Sequence, residues 1–185
     1  MDKVEGVVVH YFSAINVDPD NKYDLTACRN LFIDLNLAKA GRKHYMLEDK
    51  WPASRMYASA HILIGRDGES VKLVEYDKQA YHAGASILND RSNCNKWTVG
   101  IELVGTIDSG FTAAQYESLA AICSDLMKEH GFDESFIAGH DKVRHAAKAD
   151  GSTKAYKYDP SGRKDGQGDN FDWKYFRSLL EKQNG

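Results

Sequence analysis

The chain opens on Gly6-Val7-Val8-Val9-His10, a β-branched run that predicts a short strand buried on both faces and closed by a histidine. Asp24 is placed to cap a helix carrying Leu25, Cys28, Leu31, Phe32 and Leu35 at helical spacing, with Gly41 as its stop. Residues 42–56 show no clear period. Ala60-His61-Ile62-Leu63-Ile64 and Val71-Lys72-Leu73-Val74-Glu75 flank Arg66-Asp67-Gly68, and the Asp-Gly turn predicts a β-hairpin. A loop through Tyr81-His82-Ala83-Gly84 and Asn93-Cys94-Asn95 leads into Val99-Gly100-Ile101-Glu102-Leu103-Val104, a strand-like run with a carboxylate among apolar residues.

Thr112 and Gln115 form a capping box, after which Tyr116, Leu119, Ala120, Cys123, Leu126 and Met127 recur on one face up to Gly131. Phe136-Ile137-Ala138 is a short apolar piece ending in Gly139-His140. Residues 141–170 are polar and rich in Gly, Lys and Asp, and Phe171-Asp172-Trp173 then opens a helix with Phe176, Leu179 and Leu180 facing inward. Strands interleaved with helices, one hairpin included, predict a mixed sheet with helices packed on it.

Composition narrows the classes. The 185 residues carry 24 Lys+Arg against 27 Asp+Glu, a net charge of −3, so no basic stripe speaks for nucleic acid. A chain of this size removes roughly 70% of its unfolded surface from water and needs no staple to fold. Cys28, Cys94 and Cys123 are an odd number without a CxxC pair, which reads as reduced thiols. The apolar runs are far shorter than the ~20 residues of a membrane span. Met1-Asp2-Lys3-Val4-Glu5 is acidic where a signal peptide would be basic, so the expectation is synthesis and retention in the cytoplasm.

There is no Gly-x-Ser-x-Gly elbow, phosphate-binding loop, complete Gly-x-Gly-x-x-Gly or His-Glu-x-x-His. The polar groups of interest stand instead at the ends of strands. His10 and His140 each follow an apolar segment; if those strand ends meet, two imidazoles converge where they suit zinc, and if not, each is an ordinary strand-terminal histidine. Asp159, restrained beside Pro160, can supply the oxygen of a His-His-carboxylate set, or be a turn aspartate. Glu102 either faces solvent by alternation or is buried, where its pKa rises and suits it to general-base work.

Taken in order, Val-Val-Val-His10, Ser59-Ala60-His61, Arg66-Asp67-Gly68, His82-Ala83-Gly84, Cys94-Asn95, Gly100-Ile101-Glu102-Leu103, Gly139-His140 and Lys157-x-Asp159-Pro160 resemble the zinc-dependent N-acetylmuramoyl-L-alanine amidases of the type 2 family, from about residue 5 to Phe176. The resemblance implies a three-layer α/β fold, a mixed central β-sheet with helices on both faces, and Zn2+ at the sheet edge held by His10, His140 and Asp159. It implies Glu102 as general base, Lys157 as the group that stabilises the oxyanion, and His61, His82, Ala83 and Gly84 as substrate-cleft residues. Ala60 stands where some phage members carry a tyrosine, which shifts the base role onto Glu102. Cys94 reads as packing, and His44, His130 and His145 as surface residues.

The bond cut would join N-acetylmuramic acid to L-alanine of the peptidoglycan stem peptide. The first reading of the role is a phage or prophage endolysin that reaches the cell wall after the membrane is permeabilised. A cytosolic amidase recycling anhydro-muropeptides is the alternative, and a non-catalytic peptidoglycan-binding module a third. Residues 1–185 are expected to be one catalytic domain without a separate wall-binding domain, acting as a monomer on peptidoglycan or muropeptide, with no nucleic-acid partner and no membrane insertion. The 140-to-159 spacing exceeds the family's usual one and residues 162–170 look inserted, so His145 or Asp165 is an alternative third ligand.

Overall fold

The structure, a computed structural model, describes residue 1 and residues 3–14, 18–31, 58–145, 159–161 and 170–185. Strands β1 (Gly6–Phe12), β2 (Ile62–Ile64), β3 (Ser70–Lys72), β6 (Thr98–Val104) and β7 (Ile137–Gly139) form a five-stranded sheet in the order β3-β2-β6-β1-β7. Strand β1 runs parallel to both β6 and β7, β2 runs parallel to β6, and β3 is antiparallel at the edge. The short strands β4 (Ser86–Leu88), β5 (Arg91–Ser92) and β8 (Arg144–His145), which the polar loop sequence did not announce, make a second sheet.

Helices α1 (Ala113–His130) and α2 (Trp173–Asn184) pack together on one face of the large sheet. That face is built from alternate strand residues, Val7 and Val9, Ile62 and Ile64, Val99, Ile101 and Leu103, which meet Leu119, Cys123, Phe176 and Leu180. The other face is covered by two smaller clusters. Cys28 and Leu31, from a helical segment over residues 25–31, pack on Leu63 and Val104, while Trp97, Cys94 and Ala83 pack on Val8. The expected mixed α/β sheet with helices on both faces is therefore present.

Local chemistry accounts for the boundaries. Asp24 accepts the amide of Ala27 at 2.7 Å and starts the 25–31 helix; its expected continuation through Phe32 and Leu35 to Gly41 lies outside the described residues. The hairpin is present with shorter strands than predicted, because Leu73 and Val74 turn their amides onto the carbonyl of His61 and leave the ladder. Helix α1 carries the complete capping box and ends on Gly131 in the left-handed conformation, where glycine has no steric penalty.

Gln115 does more than cap. Its side-chain amide donates to the carbonyls of Ile64 (3.2 Å) and Val104 (3.0 Å), closing the ends of β2 and β6, while its oxygen accepts from Thr112. The residue is fully buried, so replacing it orphans two carbonyls at about 1–3 kcal/mol each. Gln115→Leu is expected to lower stability by about 2–4 kcal/mol, read in urea unfolding as a lower midpoint at unchanged slope.

Candidate active site

The alternation that buries Val7 and Val9 under the helices turns Val8 and His10 to the opposite face. On β6 the same rule turns Thr98, Gly100 and Glu102 that way. The parallel register sets His10 directly beside Glu102, near the carboxyl ends of both strands. His140 follows the end of β7, the other neighbour of β1. Carboxyl ends of strands in an open α/β sheet are where ligands bind, because loops diverge there and leave a crevice.

Asp159 completes the group from a distant loop. Its Oδ2 lies 3.0 Å from Nδ1 of His10 and 3.1 Å from Nδ1 of His140, while its Oδ1 accepts the amide of Tyr11 at 2.8 Å. Gly139 makes room for that loop, since a Cβ there would lie 2.7 Å from Pro160 and 3.0 Å from the indole of Trp173. The amide of Asp141 donates to the Asp159 carbonyl and the Ser161 hydroxyl to the Asp141 carboxylate, pinning the loop on both sides. One ligand atom each from His10, His140 and Asp159 falls within 4.8 Å of the others, which makes the three a candidate metal centre.

The electrostatics follow from burial and mutual proximity. Burial opposes charge on His10, but the carboxylates of Glu102 and Asp159 outweigh it and raise the imidazole pKa. Burial likewise works to raise Asp159, and the two histidines overcome it and hold the carboxyl below its ordinary range. Glu102 is pushed up to about 8, chiefly by burial, with His10 opposing and Asp159 adding to the shift. Its Oε2 is buried and has no hydrogen-bond partner among the described residues. Of the alternatives left open by the sequence, Glu102 takes the buried one.

The expected cleft residues separate. His61 is fully buried, with Nδ1 accepting the Gly100 amide at 3.0 Å and Nε2 donating to the Lys78 carbonyl at 3.1 Å. Both ring nitrogens serve the backbone. Ala83 is also buried, its amide held by Asn95, and Gly84 is exposed. His82 is half-buried and reaches His10 rather than open space. Cys94 is a buried free thiol whose pKa burial raises, in keeping with a packing role. Lys157, Asp165 and His44 lie outside the described residues.

Nothing in the sequence singled out Thr98, and Gly100 and Asn95 stood in motifs without a role of their own. A glycine at an alternate position of an apolar strand is itself a signal of close approach. Here a Cβ on Gly100 would lie 2.6 Å from Cδ2 of His82.

A family model described as N-acetylmuramoyl-L-alanine amidase matches residues 1–161. The chain belongs to that amidase family. Among curated relatives, the 1,6-anhydro-N-acetylmuramyl-L-alanine amidase AmpD of Citrobacter freundii is 36% identical over 127 residues, 69% of this chain and 59% of that protein. The chain thus spans about three fifths of the length of such relatives. The crystal structure of a selenomethionine AmpD derivative superposes with a TM-score of 0.66 at 29% identity, over 97% of this chain and 86% of the other. An endolysin-class N-acetylmuramoyl-L-alanine amidase, LysCS from Clostridium intestinale, shares the fold at 18% identity, with a TM-score of 0.56 over 97% of this chain and 86% of that one. The chain has the fold of these structures.

The buried His61 gives the protein a pH dependence of stability. Burial lowers its pKa to about 4, against the Lys78 carbonyl that favours the proton. The unfolded chain, with an ordinary histidine near 6.5, binds more protons than the folded one between those values, so stability is complete above pH 6.5 and falls as the pH drops toward 4. The loss attributable to His61 is about 3 kcal/mol, from 1.36 kcal/mol per pKa unit. Urea unfolding of the wild type and His61→Asn between pH 7 and 4.5 should show a shallower acid loss in the variant, which keeps an acceptor for Gly100 and cannot titrate.

Proposed function

We propose that the protein hydrolyses the amide bond between N-acetylmuramic acid and L-alanine of the stem peptide, with soluble 1,6-anhydro-muropeptides as substrate. The observation that carries this reading is the convergence of His10, His140 and Asp159 beside the buried carboxyl of Glu102. Two imidazole nitrogens and one carboxylate oxygen are a donor set that suits zinc in a catalytic site, with a fourth position open. Bonds of 2.0–2.1 Å in a tetrahedron separate ligand atoms by about 3.3 Å, close to the 3.0 and 3.1 Å found here.

Zinc in that set supplies Lewis acidity toward an amide carbonyl and lowers the pKa of water toward about 7. Glu102 takes the proton of the attacking water and delivers it to the leaving amine nitrogen; its unpartnered Oε2 is the atom available for this transfer. The positive charge also favours the ionised form of Glu102 against the burial that raises its pKa. Lys157 is assigned the developing oxyanion charge by the family motif.

The relatives favour a soluble fragment over the intact wall. An AmpD named for 1,6-anhydro-N-acetylmuramyl-L-alanine is 36% identical to this chain, whereas the endolysin LysCS shares the fold at 18%. The recycling reading therefore has more support than the endolysin reading, and it places the enzyme in the cytoplasm. The three buried free cysteines suit a reducing compartment, and no helix among the described residues is long and apolar enough to cross a membrane. Residues 1–185 are read as one catalytic unit, since α2, beyond the family match, packs into the same core as α1.

Purified protein should release stem peptide from anhydro-muropeptides in a zinc-dependent manner. Glu102→Gln is expected to lower kcat by about 10²–10⁴-fold while retaining bound zinc. Asp159→Ala should lose zinc and activity together, as read by metal analysis and chromatography of the products. Activity untouched by chelator and by both substitutions would sink the reading. Offered side by side, soluble anhydro-muropeptides should be cleaved and intact sacculi should not; turnover of sacculi alone would return the endolysin role.

A further inference from the structure

His82 is tied into the centre from behind. Its Nδ1 lies 3.1 Å from Nε2 of His10, and its Nε2 lies 3.3 Å from the carbonyl of Thr98. The rings of His61 and His10 stand edge-on to it on either side, with centroids 5.9 and 5.3 Å away. The loop that carries it is fixed by Asn95, whose side-chain oxygen accepts the amides of His82 (3.1 Å) and Ala83 (2.8 Å). Gly100 leaves the space that the ring fills.

The proton positions follow from the partners. A carbonyl can only accept, so the Thr98 contact requires a proton on Nε2 of His82. The Thr98 hydroxyl is 3.5 Å from the same nitrogen and spends its own proton on the Cys94 carbonyl at 2.8 Å, so it too can only accept there. A neutral His82 then presents a lone pair at Nδ1 and takes the proton on Nε2 of His10. With Nε2 of His10 protonated, a neutral His10 turns the lone pair of Nδ1 toward Asp159 and His140, the side on which the metal would sit.

We propose that His82 is a positioning residue for the metal ligand His10, fixing through the Thr98 carbonyl both the tautomer and the ring orientation in which Nδ1 of His10 can bind zinc. Partners of this kind hold a ligand imidazole in one orientation, and their loss costs about 10–100-fold in metal affinity. Here the partner is itself a histidine, with its own tautomer set by a strand carbonyl. The metal part of the proposal rests on the reading of His10, His140 and Asp159 as zinc ligands, whereas the proton arrangement does not.

Two measurements test it. Long-range 1H–15N spectra of the imidazoles in zinc-free protein, with His82 assigned by its loss in His82→Asn, should show His82 protonated at Nε2 and bare at Nδ1. The opposite tautomer overturns the proposal, whatever the protein hydrolyses. Zinc affinity, measured by competition with a chromophoric chelator, should fall about 10–100-fold in His82→Phe, which fills the space without an acceptor. In His82→Asn it should return close to wild type, since the amide oxygen can occupy the place of Nδ1. Equal losses in both variants would mean that the ring only packs, and an unchanged affinity in His82→Phe would mean that it does nothing for the metal; either overturns the proposal alone. A wild-type protein that binds no zinc removes the metal reading and this proposal together, a result distinct from those two.

Discussion

Two adjacent parallel strands, β1 and β6, carry polar groups on one side of the sheet and an apolar row of Val7, Val9, Val99, Ile101 and Leu103 on the other, and their register decides where the polar groups meet. His10 pairs with Glu102, so an imidazole and a carboxyl stand side by side where both are nearly out of contact with water. A slip of one residue would turn Val9 or Ile101 to the site and His10 or Glu102 into the core beneath α1. The apolar face prevents that slip, because Val7, Val9, Val99, Ile101 and Leu103 are all needed under the helices. The core therefore specifies the site, although none of its residues has any part in the chemistry.

Burying ionisable groups is unfavourable unless they answer one another. Asp159 answers both histidines through one oxygen and the Tyr11 amide through the other, so its carboxylate keeps its charge although burial disfavours it. Glu102 has less support, and burial raises its pKa. Two carboxyl groups in one site are thus pushed in opposite directions by their surroundings. Behind them, His61 and His82 belong to the supporting layer. They spend their ring nitrogens on backbone amides, backbone carbonyls and His10.

Much of this was legible in the chain. The β-branched runs, the Asp-Gly turn and the Thr112/Gln115 box each carry their own local reason, and the corresponding strands and helix are present. The residues that converge were also nameable, since histidines and acids at the ends of apolar segments are few. The second sheet of β4, β5 and β8 was not legible, because its strands have two or three residues and lack alternation. Nor was the real position of His61, which looks in sequence like any histidine preceding a strand.

What the sequence determined by itself is the strands of the large sheet and the helices packed on it, the identity of the chemical groups and the family to which they belong, because these depend on residue type and short-range order. Only the tertiary structure decided which histidines face the centre and which stand behind it. His10 lies within β1, His61 just before β2, His82 in the loop before β4 and His140 just after β7, and all four are the same side chain. Their difference lies in partners 16 to 149 residues away: the Lys78 carbonyl for His61, the Thr98 carbonyl for His82, and Asp159 for the other two. An imidazole takes its role from whatever its two nitrogens meet, and those meetings exist only once the sheet has closed.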